Sequence, residues 1–260
     1  MFKRAIVRPP GQNFASGLTT VDLGKPDHNL ALDQHAAYCR VLESCGLALT
    51  TLLPDERHPD STFVEDVAVF TERGAVIARP GAESRRGETK EIELFGNQEV
   101  NQEFPAVGVI VEPGTLDGGD ICEAGNHFFI GISQRTNEAG AAQLGRILAS
   151  FGYTYSLIDI RGLSNILHLK SGVAYLGDNR LVVIDVLRTS REFSDYELVH
   201  VNSAEEYAAN CLCINGRVLI AAGFPNLKRQ LEDLGYPTIT LEMSEFQKMD
   251  GGLSCLSLRF

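Results

Sequence analysis

The sequence predicts an α/β fold of five ββαβ-type units, set pseudo-symmetrically around one axis. Pairing of the N- and C-terminal strands closes the ring. Three observations lead to this. Four β-hairpins with Gly, Asn and Asp turns recur along the 260 residues, and such turns between apolar runs are a strong short-range hairpin signal. The turns at Gly74, Gly125 and Gly177 stand about 51 or 52 residues apart, a period typical of radial or solenoidal repetition. The two ends of the chain each look like half a hairpin.

Taken in order, residues 2–7 are an apolar run that reads as a hairpin's second strand without its first. Residues 29–45 carry apolar positions at helical spacing, and Gly46 follows where a helix is commonly closed by a positive-φ residue. LTTLL (49–53) then reads as a strand. Glu65-Asp66 leads into VAVF, a turn at 71–74 and AVIARPG, followed by the strand GVIVEP. Gly118-Gly119-Asp120 leads into ICEA, a turn at Gly125-Asn126 and HFFIGIS. A helix over 136–151, ended by Gly152, and the strand YSLIDI complete that unit. Lys170-Ser171-Gly172 leads into VAYL, a turn at 177–179 and RLVVIDV. Ala209-Asn210 leads into CLCI, a turn at Asn215-Gly216 and RVLIAAG, with a helix over 227–234, Gly235 and the strand TITLEM behind it. Residues 253–260 alternate small polar with apolar residues, as a strand does, and supply the missing first half of the opening hairpin. A plain α/β sandwich would leave both terminal strands unpaired; a closed ring leaves no open edge there.

Composition narrows the function classes. With 44% hydrophobic and 22% charged residues the chain is an ordinary globular protein, expected to form a single catalytic domain over residues 1–260. No apolar run approaches the roughly 18–20 residues of a membrane span, so no membrane partner is expected. The net charge of −11 argues against nucleic acid and suits a cationic small molecule. The N-terminal stretch reads as a strand, not a signal peptide, which predicts a cytoplasmic protein whose six cysteines stay reduced. No pair has CxxC spacing, so a structural zinc site is unsupported, and no metal or cofactor is expected. Cys39, Cys45, Cys122, Cys211 and Cys213 read as small buried hydrophobes.

Cys255 is different. It follows Gly251-Gly252, where the backbone can turn or approach a ligand closely, and a thiol there is placed to be a nucleophile if a base is at hand. In each unit a polar cluster stands just before the first hairpin strand, at 60–66, 117–120, 168–172, Asn210 and 250–255. A radial arrangement would gather these clusters at one end of the axis, bringing a cysteine, a histidine and several carboxylates together. His168, polar in the apolar setting Asn165-Ile166-Leu167-His168-Leu169, is suited to proton shuttling near neutral pH.

These segments carry a resemblance. Phe63-Val64-Glu65-Asp66, RPGAESRRGE (79–88), Leu116-Asp117-Gly118-Gly119-Asp120, Leu167-His168-Leu169-Lys170-Ser171-Gly172 and Asp250-Gly251-Gly252-Leu253-Ser254-Cys255 resemble, in order, the dimethylarginine dimethylaminohydrolases. These form a branch of the guanidino-group-modifying amidinotransferase/deiminase superfamily. The family fold is a five-bladed α/β propeller, which agrees with the unit count. Related deiminases and amidinotransferases are longer, which favours this branch.

The resemblance implies a cysteine-dependent hydrolysis of Nω,Nω-dimethyl-L-arginine or Nω-methyl-L-arginine to citrulline plus the methylated amine. It implies Cys255 as nucleophile, His168 as proton donor and water activator, and Asp117 as the acid that orients His168. Many bacterial relatives carry Glu in place of Asp117, a carboxylate one methylene longer. Asp60, Glu65 and Asp66 would grip the guanidinium and amines, Arg85 and Arg135 the α-carboxylate, and the backbone of Leu18 and Met249 the amino-acid end. Leu18 lies in a Gly-containing loop able to close over the site. A homodimer is expected from the relatives alone.

Other readings stand beside these. Glu65, Asp66 and Asp120 also fit turn acids near glycine, Arg85 and Arg135 fit solvated surface residues, and Lys170 and Asn210 read as structural. An arginine deiminase or citrulline-cleaving enzyme would use the same scaffold, and a non-catalytic arginine-binding propeller would tolerate loss of Cys255.

Overall fold

Each expected hairpin forms, and at three of the four a positive-φ Gly, Asn or Asp makes the reversal. In the computed structural model, which describes residues 1–95, 107–163 and 165–260, β3 (Ala68–Thr71) turns into β4 (Gly74–Ile77) and β6 (Ile121–Ala124) into β7 (His127–Ile132). Likewise β9 (Val173–Gly177) turns into β10 (Arg180–Ile184), and β12 (Leu212–Ile214) into β13 (Arg217–Ala221). Asp178 and Asn179 have φ of 48° and 58°, and Asn215 and Gly216 have 49° and 84°. Two consecutive positive-φ residues give the turn a twist that matches the flanking strands.

A third strand then adds to each hairpin, parallel to its second strand. β5 (Val107–Val109), β8 (Thr154–Asp159), β11 (Glu197–Val201) and β14 (Thr238–Leu241) take this place. The opening strand β1 (Arg4–Val7) pairs in parallel with β2 (Ala48–Thr51) and antiparallel with the closing strand β15 (Leu258–Arg259), Ala5 opposite Arg259 and Ile6 opposite Leu258. The described residues therefore hold five three-stranded sheets of one topology, and the two chain ends share the fifth.

Helices make several of the crossovers. α1 (His28–Ser44) starts at Asp27, whose carboxylate accepts the Leu30 N–H, and Gly46 follows it at φ 93°. α2 (Thr89–Phe95) lies between β4 and β5. α3 (Glu138–Ser150) is capped by Asn137, and α4 (Pro225–Asp233) has Pro225 at its first position, where a missing N–H costs nothing. The crossover from β10 to β11 has no α-helix; two 3₁₀ turns, Asp185–Leu187 and Arg191–Phe193, cover it.

The chain divides into two compact units. One comprises Met1–Val64 with Ser171–Arg259, and the other Glu65–Lys170 with Phe260. In the first, Phe14, Phe63 and Phe246 pack with ring centroids 5.6 to 6.3 Å apart, each buried ring contributing roughly 1.5–3 kcal/mol. In the second, Phe128 and Ile130 of β7 pack with Leu116 and with Leu144 and Leu148 of α3.

The closing segment corrects one expectation. Residues 253–260 do not form a continuous strand: Ser254–Leu256 is a 3₁₀ turn, and only Leu258–Arg259 pairs. The cause is tertiary. Asn210 Oδ1 takes the Ser254 N–H at 2.9 Å and its Nδ2 donates to Ser254 Oγ at 3.0 Å. Those bonds curl the backbone before pairing with β1 begins. No helix among the described residues is long and apolar enough to cross a membrane.

Candidate active site

In the unit formed by residues 65–170, the loop before β6 and the segment after β8 place Asp117 against His168. His168 Nε2 donates to Asp117 Oδ2 at 3.0 Å, and the Gly81 N–H donates to Oδ1 at 2.8 Å. Asp117 is fully buried and His168 nearly so. Burial pushes Asp117 upward, but the hydrogen bond and charge of His168, the charge of Arg85 and the Gly81 N–H outweigh it and lower its pKa. For His168, burial works against the imidazolium. The charge of Asp66, the Asp117 hydrogen bond and the charges of Asp120 and Asp117 prevail, and its pKa is held up to about 9. The free protein thus carries an ionised, buried acid–imidazolium pair at neutral pH. A glycine makes room for it: a Cβ on Gly119 would lie 2.7 Å from His168 Nδ1 and 2.8 Å from Asp66 Oδ1.

Asp66 is the second acid here. Its Oδ1 accepts the Gly119 N–H at 2.9 Å, and its Oδ2 accepts Arg85 Nη1 at 2.5 Å. Glu88 clasps the other edge of Arg85, at 3.1 Å from Nε and 2.8 Å from Nη2. Burial disfavours the guanidinium's charge, but Glu88 and Asp66 keep it firmly protonated. Arg85, at 4% exposure, is thus no solvated surface residue. Glu65 is buried and receives Lys170 Nζ at 2.6 Å. Arg135 Nη1 stands 3.8 Å from Asp117 Oδ2 with a side chain 15% exposed, the more open of the two arginines.

The other unit holds the remaining expected residues. Asp60, buried, accepts the Leu18 N–H at 2.9 Å. Gly17 lets this happen, since a Cβ there would lie 2.5 Å from Asp60 Oδ1 and 3.2 Å from Met249 Cε. Leu18, Asp60 and Met249 are therefore brought together. The loop is fastened again farther along: Thr20 donates to Asp250 through its N–H at 2.5 Å and its hydroxyl at 3.1 Å, and Thr19 Oγ1 bonds the Lys248 carbonyl at 3.0 Å. Asp250 adopts φ 57°, so Met249, Asp250 and Gly251 turn sharply after α5 (Ser244–Gln247). Phe246 O accepts the N–H groups of both Met249 and Gly251 at 2.9 Å.

Cys255 sits in the 3₁₀ turn that follows. The Gly252 N–H donates to its Sγ at 3.4 Å, and the Tyr207 hydroxyl holds the Gly251 carbonyl at 2.8 Å. All six cysteines are free thiols. Sequence reasoning missed Glu88, Asp250, Tyr207 and the Gly81 N–H. The Arg85/Glu88 spacing is the one signal that could have found a partner, since residues three apart share a helical face.

Among the described residues, Asp66, Asp117 and His168 each offer one atom within 4.8 Å of the others, the spacing a metal ion needs. Those groups are hydrogen-bonded to Arg85, Gly119, Gly81 and one another. The arrangement is a hydrogen-bonded ion-pair network.

With this geometry established, the chain can be set beside known proteins. The arginine deiminase family model matches residues 56–207. The chain is 46% identical to N(G),N(G)-dimethylarginine dimethylaminohydrolase of Pseudomonas aeruginosa, with 100% of each chain covered. The chain belongs to the dimethylarginine dimethylaminohydrolase family. The Streptomyces coelicolor member is 37% identical over 99% of this chain and 96% of that one. A solved structure of the Pseudomonas family member, a cysteine-to-serine mutant complexed with citrulline, superposes with a TM-score of 0.94 and covers both chains completely. The N-terminal domain of ArgZ, an arginine dihydrolase from Cyanobacteria, is only 16% identical but reaches a TM-score of 0.86, over 100% of this chain and 97% of that one. It shares the fold.

Proposed function

We propose that this chain hydrolyses Nω,Nω-dimethyl-L-arginine or Nω-methyl-L-arginine to L-citrulline and dimethylamine or methylamine, as a dimethylargininase. One observation carries the reading: a buried His168–Asp117 pair flanked by Asp66, in a chain 46% identical along its whole length to a family member of that name. The five like sheets are read as the blades of one propeller, making residues 1–260 a single catalytic domain.

The Cys255 thiolate attacks the guanidinium carbon. His168, protonated in the free protein, gives its proton to the departing amine. The product of this half-reaction is a covalent S-alkylthiouronium on Cys255. His168, now neutral, takes a proton from water, and the resulting hydroxide adds to the same carbon. Collapse expels the thiolate, the hydroxyl proton passes to solvent, where the freed amine takes it up, and citrulline leaves. The covalent step divides one difficult hydrolysis into two easier ones.

A guanidinium is a weak electrophile because its charge is delocalised, so orientation matters. Glu65, Asp66 and Asp60 select the cation and fix it. Arg85 and Arg135 hold the α-carboxylate, with Arg135 the more accessible. The backbone of Leu18 and Met249 bonds the amino-acid end. Asp117 keeps the His168 ring oriented and stabilises its charge. The Pseudomonas relative's citrulline complex, and an S-methyl-L-thiocitrulline adduct of a dimethylarginine dimethylaminohydrolase with a histidine-to-glycine substitution, support this chemistry. A cytoplasmic location suits it, because Cys255 stays reduced there.

The arginine deiminase description of the family model favours one second reading, hydrolysis of unmethylated arginine. A panel of arginine, both methylarginines and citrulline, with citrulline and amine release measured, separates the two. The first reading expects the methylarginines to turn over fastest; faster turnover of arginine than of both contradicts it.

A further inference from the structure

Asp120 lies three residues beyond Asp117 and is equally buried, at 0% exposure. The chemistry above gives it no task. It is among the most heavily bonded acids of its unit. Its Oδ1 accepts the N–H of Leu169, the residue next to His168, at 3.0 Å. Its Oδ2 accepts the Ser133 hydroxyl at 2.6 Å. Ser133 Oγ in turn accepts the N–H of Arg135 at 2.9 Å and that of Thr136 at 3.0 Å. Thr136 Oγ1 accepts the N–H of Asp117 at 3.1 Å, and the Thr136 side chain also bonds Asp120. Gly131 of β7 makes the packing possible: a Cβ there would lie 3.0 Å from Asp120 Oδ1 and 2.9 Å from Leu169 Cβ.

One carboxylate thus ties together three segments distant in sequence, those bearing His168, Arg135 and Asp117. Resting on the reading under Proposed function, we propose that Asp120 is a further positioning residue of this reaction. It acts through Leu169 and Ser133 to hold the His168 ring against Asp117 and the Arg135 loop in register.

A buried acid is costly unless fully bonded, and a smaller or neutral residue would suffice for simple packing. Burial pushes Asp120 upward, against the pull of His168, Ser133 and Thr136 and with the push of Asp117, and its pKa stands at about 6. It is therefore mostly ionised at neutral pH, with His168 and Asp117 the titratable groups facing it, and its charge helps keep the imidazolium. A positioning acid has two observable jobs: it fixes a geometry and it sets the proton affinity of its neighbour.

The test uses the full-length chain with Asp120→Asn and Ser133→Ala. An asparagine accepts the Leu169 N–H, but its amide turns a donor toward the Ser133 hydroxyl. On the best guanidino substrate of the panel, Asp120→Asn is expected to lower kcat at least about tenfold and to raise KM as well, because both the His168 ring and the Arg135 loop lose their anchor. Histidine-selective NMR titration is expected to show the His168 midpoint at least one pH unit lower in the variant. That readout does not depend on turnover, so it tests Asp120 even if no methylarginine is a substrate. Should Asp120→Asn fail to fold, Ser133→Ala keeps the carboxylate and is expected to lower kcat at least about threefold. A folded Asp120→Asn protein with an unmoved His168 titration overturns the proposal, as does a folded Ser133→Ala protein with unchanged kcat.

Discussion

His168 Nε2 stands 3.0 Å from Asp117 Oδ2, while the Gly81 N–H secures the carboxylate's other oxygen at 2.8 Å. Neither oxygen is left to reorient, so the acid holds the imidazole in one plane and one protonation pattern. Asp117→Asn retains the shape but cannot accept on both sides. It is expected to lower kcat/KM by about 10²–10⁴, the usual range for loss of acid–base catalysis. The basic limb of its pH profile is expected to move to lower pH, since His168 loses a partner that raises it. Steady-state kinetics from pH 6 to pH 10 checks both.

The same pair makes stability depend on pH. His168 binds its proton more tightly folded than unfolded, at about 9 against 6.5. Its contribution is complete below about pH 6.5 and is lost as pH rises through 9, a change of roughly 3 kcal/mol. Urea denaturation at pH 7 and pH 10 is expected to show this fall in the natural protein and a smaller one in His168→Asn.

Glu88 is expected to matter more for folding than for chemistry. It bonds one whole edge of the buried Arg85 through Nε and Nη2, and its removal leaves a guanidinium with too little compensation. Glu88→Ala is expected to destabilise the chain by about 3–5 kcal/mol, read as a lower urea midpoint.

The loop that carries Leu18 is fastened to Asp250 through Thr20. Asn tolerates the positive φ that Asp250 adopts, so Asp250→Asn removes charge without straining the backbone. Each hydrogen bond weakened is worth about 0.5–1.5 kcal/mol. KM for the methylarginine is expected to rise about three- to tenfold while kcat changes less, as initial-rate kinetics would show.

What could be read from the sequence follows from where the determining forces act. The hairpins at Asp178-Asn179 and Asn215-Gly216 were legible because turn residues fix them locally. The helix ends at Gly46, Gly152 and Gly235 were legible for the same reason. The pairing of β1 with β15 followed from counting half-hairpins. The 3₁₀ turn at Cys255 was hidden because Asn210, 44 residues upstream, imposes it. β11 was missed because its crossover uses 3₁₀ turns in place of a periodic helix. Asp117 and Asp120 stand in the same Asp-Gly-Gly-Asp stretch with the same chemistry. Only tertiary contacts show that one faces His168 Nε2 and the other the Leu169 N–H.

The proposed reaction turns on a covalent bond between Cys255 and the guanidinium carbon of a methylated arginine. The direct measurement is acid-quench mass spectrometry with peptide mapping during turnover of Nω,Nω-dimethyl-L-arginine. An S-alkylthiouronium adduct on Cys255 is expected, with dimethylamine released in step, and neither adduct nor citrulline from Cys255→Ser. Continued citrulline formation by Cys255→Ser, or an adduct on another residue, would contradict it.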